Sequence, residues 1–149
     1  RDINRQKFDE EELHRLLEDP NTQQYKVFTR VIELIKKRTQ EKAFNPQGPP
    51  EEVIDLNDAV DIRMFKAIDG SERIITMVNV SNVPQIMQID IRSLGMESQI
   101  VRDIISEGEY LASEEGILTF ELKPYQTVWL KEKQARTRDS GTGPSRSCL

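Results

Sequence analysis

The sequence predicts an α+β chain in which two helices precede an antiparallel β-sheet or β-sandwich domain. Three observations carry that prediction. Residues from Thr22 to Phe44 repeat their apolar side chains at the helical period over the longest periodic stretch in the chain. The run NPQGPPEE that follows, Asn45 to Glu52, holds three prolines and a glycine, which no helix continues through. Beyond it the apolar period falls from about 3.6 residues to about 2, and Asp69-Gly70 stands between two alternating runs, a strong hairpin signal.

Taken in order, Arg1 to Lys7 is polar and reads as a loop. Asp9 is placed to cap a short helix over Glu10 to Glu18, with Glu12 at the capping-box spacing and three glutamates in the first turn to suit the helix dipole. That helix is expected to bury Leu13, Leu16 and Leu17, and Pro20 limits it. Asn21 or Thr22 caps the long helix next. At about 100° per residue, Tyr25, Val27, Phe28, Val31, Ile32, Leu34 and Ile35 share one side of it and Lys26, Thr29, Arg30, Glu33, Lys36 and Lys37 the other. The apolar arc spans roughly 180°, wider than the roughly 100° a helix needs to sit on one core. Two surfaces must therefore cover it. The strands that follow supply one, the preceding residues are too few to supply the other, and the chain reads as a piece of something larger.

Val60, Ile62 and Met64 alternate in the first strand, and its partner runs from Arg73 to Val80 through Ile75, Met77 and Val78. Ser81-Asn82-Val83-Pro84 turns the chain into a strand from Gln85 to Ile91 carrying Met87, Ile89 and Ile91 on one face. Further strands are expected over Ile100 to Ile105, near Tyr110 to Ala112, over Ile117 to Leu122 and over Gln126 to Lys131, with a turn at Glu114-Glu115-Gly116. Connections this short force antiparallel pairing. The predicted organisation is a helical segment over residues 1–44, a linker over 45–58, a β-domain over 59–134, and a tail over 135–149 too polar to offset its own ordering entropy and so expected to be disordered.

A chain of 149 residues with 36% hydrophobic and 32% charged residues supports one domain with a genuine core. The net charge is -5. Arg136, Arg138 and Arg146 against Asp139 give the tail +2, which leaves -7 on residues 1–134. An acidic body lacks the basic footprint of nucleic-acid binding. No apolar run approaches the roughly 20 residues that span a bilayer, so no membrane contact is expected. The single cysteine, Cys148, excludes an internal disulfide framework and agrees with a cytoplasmic setting.

Catalytic signatures are missing. His14 is the one histidine and reads as a solvent-facing helix residue, and no short nucleophile, zinc or phosphate-loop motif occurs. Asp55, Asp58 and Asp61 lack the glycine and terminal glutamate of a calcium loop, so no metal and no cofactor is expected. Trp129 and Tyr125 are the aromatics able to stack on a sugar. Trp129 alternates with Val128 and Leu130, which favours packing against the long helix. Met64, Met77 and Met87 read as core filler. Arg1 and Arg5 present two guanidinium groups in a polar loop, suited to a carboxylate or phosphate.

Four segments in order carry a family resemblance. Arg1-Asp2-Ile3-Asn4-Arg5 and the short acidic helix resemble the segment near the end of the catalytic barrel in sucrose phosphorylase-like enzymes of glycoside hydrolase family 13. The stretch VFTRVIELIKKRTQEKAFNPQG resembles that family's final barrel helix, whose usual His-Pro-Ala-Phe ending survives here as the Ala-Phe of Glu41-Lys42-Ala43-Phe44. The hairpin around Asp69-Gly70 and the closing Lys123-Pro124-Tyr125-Gln126-Thr127-Val128-Trp129-Leu130 resemble its C-terminal β-domain. The resemblance covers nearly all of residues 1–134. It implies the last helices of a (β/α)₈ barrel followed by an antiparallel β-domain. It implies retaining cleavage of an α-glucoside such as sucrose, with phosphate as acceptor, by a parent whose two catalytic carboxylates lie in a missing N-terminal barrel. This chain would then support the barrel and be inactive alone. By the same resemblance Arg5, and secondarily Arg1, would bind the glucosyl unit, while Gln6 stands where relatives often carry histidine. The rival readings are a non-catalytic carbohydrate-binding β-module, which requires Trp129 or Tyr125 exposed on a flat face, and a helix-mediated interaction protein.

Overall fold

The computed structural model describes residue 7 and residues 9–133. Helix α1 runs Glu10–Glu18 and helix α2 runs Gln23–Gln40, followed by a 3₁₀ turn at Lys42–Phe44. Eight strands follow: β1 Glu52–Val53, β2 Val60–Lys66, β3 Arg73–Asn79, β4 Gln85–Asp90, β5 Ile100–Asp103, β6 Glu109–Leu111, β7 Ile117–Leu122 and β8 Thr127–Glu132. Every pairing is antiparallel. The strands form a six-stranded sheet ordered β1-β2-β3-β8-β5-β6 and a two-stranded sheet of β4 and β7.

Strand alternation divides the apolar residues between two layers. On the inner face Ile62, Ile75, Met77, Val101, Val128 and Leu130 meet Met87, Ile89, Leu118, Phe120 and Leu122 of the smaller sheet, closing a sandwich core. On the outer face of the large sheet Phe44, Ile74 and Ile104 pack with Phe65 and Trp129. The Phe44 ring meets Phe65 and Trp129 edge-on, each at 5.0 Å between centroids, and the Arg38 guanidinium lies 4.5 Å from the Phe44 ring centre. Helix α2 lies over this outer layer.

Both helices are capped as their sequences predict: Asp9 Oδ1 accepts from Glu12 N at 2.7 Å, and Thr22 Oγ1 accepts from Tyr25 N at 3.1 Å. Four details differ from the sequence expectations. No residue of α1 is fully buried, and Leu13 is exposed; among the described residues its main packing partner is α2. The long helix stops at Gln40 rather than Phe44: Glu41 is extended, at φ -100° and ψ 123°, so that Ala43 and Phe44 turn down into the aromatic cluster. The expected linker contains β1, a two-residue strand whose backbone pairs with β2 and whose side chains leave no pattern to read. Met96, not foreseen as core, is fully buried.

The apolar arc of α2 is half-covered at its two edges and open along its middle. Tyr25, Ile32 and Leu34 are half-buried, whereas Val27, Phe28, Val31 and Ile35 are 47% to 52% exposed and form a continuous stripe. The tail 135–149 lies outside the described residues.

Candidate functional site

Arg1 and Arg5, the substrate-binding candidates read from the sequence, lie outside the described residues. The structure brings other groups together where α2 meets the outer face of the large sheet.

The first constellation is a polar clamp. Lys131 on β8 donates to Glu41 at the end of α2 and, at 2.6 Å, to Glu72 before β3. Glu72 Oε1 also accepts from Ala43 N at 2.9 Å, and Lys42 Nζ reaches Asp69 at 3.2 Å. The Glu41-Lys42-Ala43 segment is thus fastened to the β2–β3 hairpin and to β8 at once. Burial by itself would lower the Lys131 pKa and raise that of Glu72. The hydrogen bonds to Glu41 and Glu72 outweigh burial for the ammonium and raise it, and those from Lys131 and Ala43 outweigh it for the Glu72 carboxyl and lower it. Asp69, bonded by the Ser71 hydroxyl and backbone N–H and by Lys42, is held down at about 2.

The second is a cleft of about 440 Å³ between α2 and β8, lined by Arg30 and Leu34 on the helix and by Asp103, Ile105, Ser106, Gln126, Thr127 and Trp129 on the sheet side. Its floor is fixed by Asp103, a buried carboxylate at the end of β5. Asp103 Oδ1 accepts from Trp129 N at 2.9 Å and Ile105 N at 3.0 Å, while Oδ2 accepts from Ser106 N at 3.2 Å and from the Ser106 hydroxyl. Four donors compensate the burial of the charge. Burial, and secondarily the Asp103 charge, raises the pKa of Tyr110.

Thr127 and Trp129 reach the cleft because β8 alternates, sending Val128 and Leu130 to the core and Trp129 to the outer face. Just upstream, the buried Asn79 side chain donates to the carbonyls of Val83, Leu122 and Lys123 and accepts from Ser81, locking two turns side by side. Tyr125 emerges from the second of these with φ 58° and 68% exposure. A non-glycine residue in the left-handed region carries backbone strain.

Trp129 is half-buried: it packs edge-on against Phe44 and also lines the cleft, so it is a partly open wall and not a flat exposed platform. Asp61 is engaged by Arg63 at 2.9 Å, and His14 is an exposed residue of α1. Sequence reasoning missed the clamp and Asp103. An aspartate before Ile-Ile-Ser is a common turn signal, but nothing local pairs Lys131 with residues 59 and 90 positions away.

No protein-family model matches the chain. It is 26% identical over 135 residues to a glucosylglycerate phosphorylase of Spirochaeta thermophila, which covers 87% of this chain and 23% of that protein. It is 26% identical over 130 residues to a glucosylglycerate phosphorylase of Allomeiothermus silvanus, covering 87% of this chain and 20% of that one. The chain therefore spans about a fifth of the length of these curated relatives. Among solved structures, AmyP in complex with maltotriose superposes with a TM-score of 0.64 at 20% identity, over 74% of this chain and 21% of that one. An Anoxybacillus α-amylase gives 0.60 at 14% identity, over 78% and 25%. At these identities the structural likeness establishes fold. The resemblance to sucrose phosphorylase-like enzymes of glycoside hydrolase family 13 read from the sequence is borne out: the chain is similar over most of its length to part of the glucosylglycerate phosphorylases, and it shares its antiparallel β-fold with amylase-like enzymes.

Proposed function

We propose that this chain is the C-terminal part of a retaining α-glucoside phosphorylase, in which α1 and α2 are the last barrel helices and the β-domain braces them. The observation that carries this reading is the exposed stripe Val27, Phe28, Val31 and Ile35 along the middle of a helix arc whose two edges, Leu34 on one side and Tyr25 and Ile32 on the other, are half-buried. Apolar surface of that extent on one helix face marks a contact with further protein, and relatives four to five times longer have that protein to supply.

The parent would transfer a glucosyl unit from an α-glucoside to phosphate in a cytoplasmic setting, with glucosylglycerate as the first substrate to test and sucrose as the second. Retention needs a nucleophilic carboxylate and a carboxylic acid roughly 5 Å apart across the glycosidic bond. Among the described residues the buried carboxylate Asp103 already accepts four hydrogen bonds, and Glu41 and Glu72 share Lys131. None of these is free to attack a sugar, so the chain alone is inactive in this reading. Arg5, with Arg1 as the second choice, would hydrogen-bond the glucosyl unit beside the missing catalytic pair.

The test is release of glucose 1-phosphate from glucosylglycerate or sucrose plus phosphate by the protein encoded by the whole parent reading frame, alongside the 149-residue chain. Turnover by the parent, none by the chain, and loss of most parental turnover on Arg5→Ala with folding retained are the expected results. A parent inactive on both glucosides, or a chain that turns over by itself, overturns the proposal.

A further inference from the structure

The α2–β8 cleft has a composition that the catalytic reading does not use. The indole N–H of Trp129, the Thr127 hydroxyl and the Gln126 amide nitrogen form no hydrogen bond within the described residues. No polar side-chain atom there is buried without a partner, so these donors are open to solvent. Gln126 is already oriented, because its Oε1 accepts from Lys123 N at 2.9 Å. Trp129 is oriented through its backbone by Asp103, and Arg30 faces them from the helix, where it makes an exposed ion pair with Glu33 at 3.3 Å.

A pyranose has apolar ring faces and a rim of hydroxyls that both donate and accept. An opening of about 440 Å³ falls within the usual ligand-site range of roughly 300–1,000 Å³. Leu34 and the Trp129 indole supply apolar walls, while Thr127, Gln126 and Arg30 supply polar contacts.

We propose that the cleft between α2 and β8 is a non-catalytic binding site for α-glucosides, formed by Arg30, Leu34, Gln126, Thr127 and Trp129. The choice of an α-glucoside rests on the function proposed above, whereas the site itself rests on the cleft. Such a site would hold a glucoside on the β-domain away from the catalytic barrel of the parent.

The chain contains one tryptophan, so its intrinsic fluorescence reports on this cleft. The 149-residue chain is titrated with maltose and with sucrose, using sorbitol at matched concentration as control. The expected result is a saturable change with at least one glucoside and none with sorbitol. Thr127→Val and Arg30→Gln each raise the midpoint by about tenfold, the equivalent of one lost hydrogen bond of roughly 1.4 kcal/mol. Ile86→Ser, on the exposed side of β4, leaves the midpoint unchanged, and far-UV circular dichroism verifies that the variants fold. A response matching sorbitol, or midpoints unmoved in both cleft variants, overturns the site. Glucosyl transfer by the parent is read separately: transfer without binding by this chain refutes the cleft and leaves the catalytic reading intact, while binding without transfer does the reverse.

Discussion

Replacing Lys131 by methionine tests how the helices are held to the β-domain. The substitution keeps most of the apolar stem and removes the ammonium that Glu41 and Glu72 share. The side chains of Glu41 and Glu72 are 15% and 11% exposed and that of Lys131 is 28% exposed, so the network lies between the surface and buried limits. Breaking a buried pair costs about 3–5 kcal/mol and an exposed one about 0–1. The intermediate exposure places Lys131→Met at about 2–3 kcal/mol, because two carboxylates are left side by side without a cation. For a domain of this size each kcal/mol moves Tm by roughly 4 °C, so the melting temperature should fall by about 10 °C.

The pH dependence fixes the mechanism. Glu72 has a lowered folded pKa, so its contribution is complete above the ordinary 4.5 and is lost as pH falls through the lower folded value. Lys131 has a raised folded pKa, so its contribution is complete below the ordinary 10.5 and is lost as pH rises through the higher folded value. The difference between wild type and Lys131→Met should be flat across the neutral range and shrink on acidification, where protonation relieves the facing carboxylates. Adding Glu41→Gln and Glu72→Gln should restore stability to within about 1 kcal/mol. A loss under about 0.5 kcal/mol in urea unfolding, or no recovery in the triple variant, would refute the clamp as the feature that fixes the helices.

Three further outcomes follow from named contacts. Asn79→Ala leaves the carbonyls of Val83, Leu122 and Lys123 without their shared donor and should cost about 3 kcal/mol, measured by urea unfolding. Val31→Ser and Ile35→Ser should change the stability of this chain by less than about 0.5 kcal/mol, since both are half-exposed, yet cost roughly 2 kcal/mol each in the parent, where the stripe would be buried; equal effects in both would deny the missing surface. Asp69, held at about 2 against an ordinary 3.8, stabilises the turn above about 3.8 and loses that contribution as pH falls toward about 2. Asp69→Asn should accordingly flatten the stability profile over that window, as followed by circular dichroism in acid titrations.

The fold was legible wherever a residue's local period decides its environment. Met87, Ile89 and Leu118, Phe120 and Leu122 alternate in and out of the sandwich as their spacing dictates, and the Asp69-Gly70 turn closes the hairpin with Gly70 at φ 68°. Legibility failed where distant groups outvote a local pattern. Helix propensity runs unbroken from Thr22 to Phe44, but burying Phe44 between Phe65 and Trp129 bends the chain at Glu41. Of the cleft residues the sequence singled out Trp129 alone as an aromatic able to stack on a sugar, and its alternation favoured packing against the long helix over an open wall. Arg30 could not be tied to Thr127, since only the packing of α2 on β8 brings them together.

The clamp acts at the C-terminal end of α2 through Glu41, with Lys37 adding a bond to the Ile104 carbonyl at 2.8 Å one turn earlier. Toward its N-terminus the helix stands over the cleft, where Arg30 and Leu34 face Thr127 and Trp129 across open space. If the helix is fixed at one end and open beneath the other, filling the cleft would bear on the position of its outer stripe, Val27 to Ile35. A ligand in the cleft and a protein surface on the stripe would act on adjacent faces of one helix. If both bind, occupation of the cleft should rigidify the surface that receives the rest of the enzyme, and each should strengthen the other by the same factor. Comparing the maltose midpoint of this chain with that of a parent in which Trp129 is the one tryptophan kept measures that factor, and identical midpoints would show that the cleft and the stripe are independent.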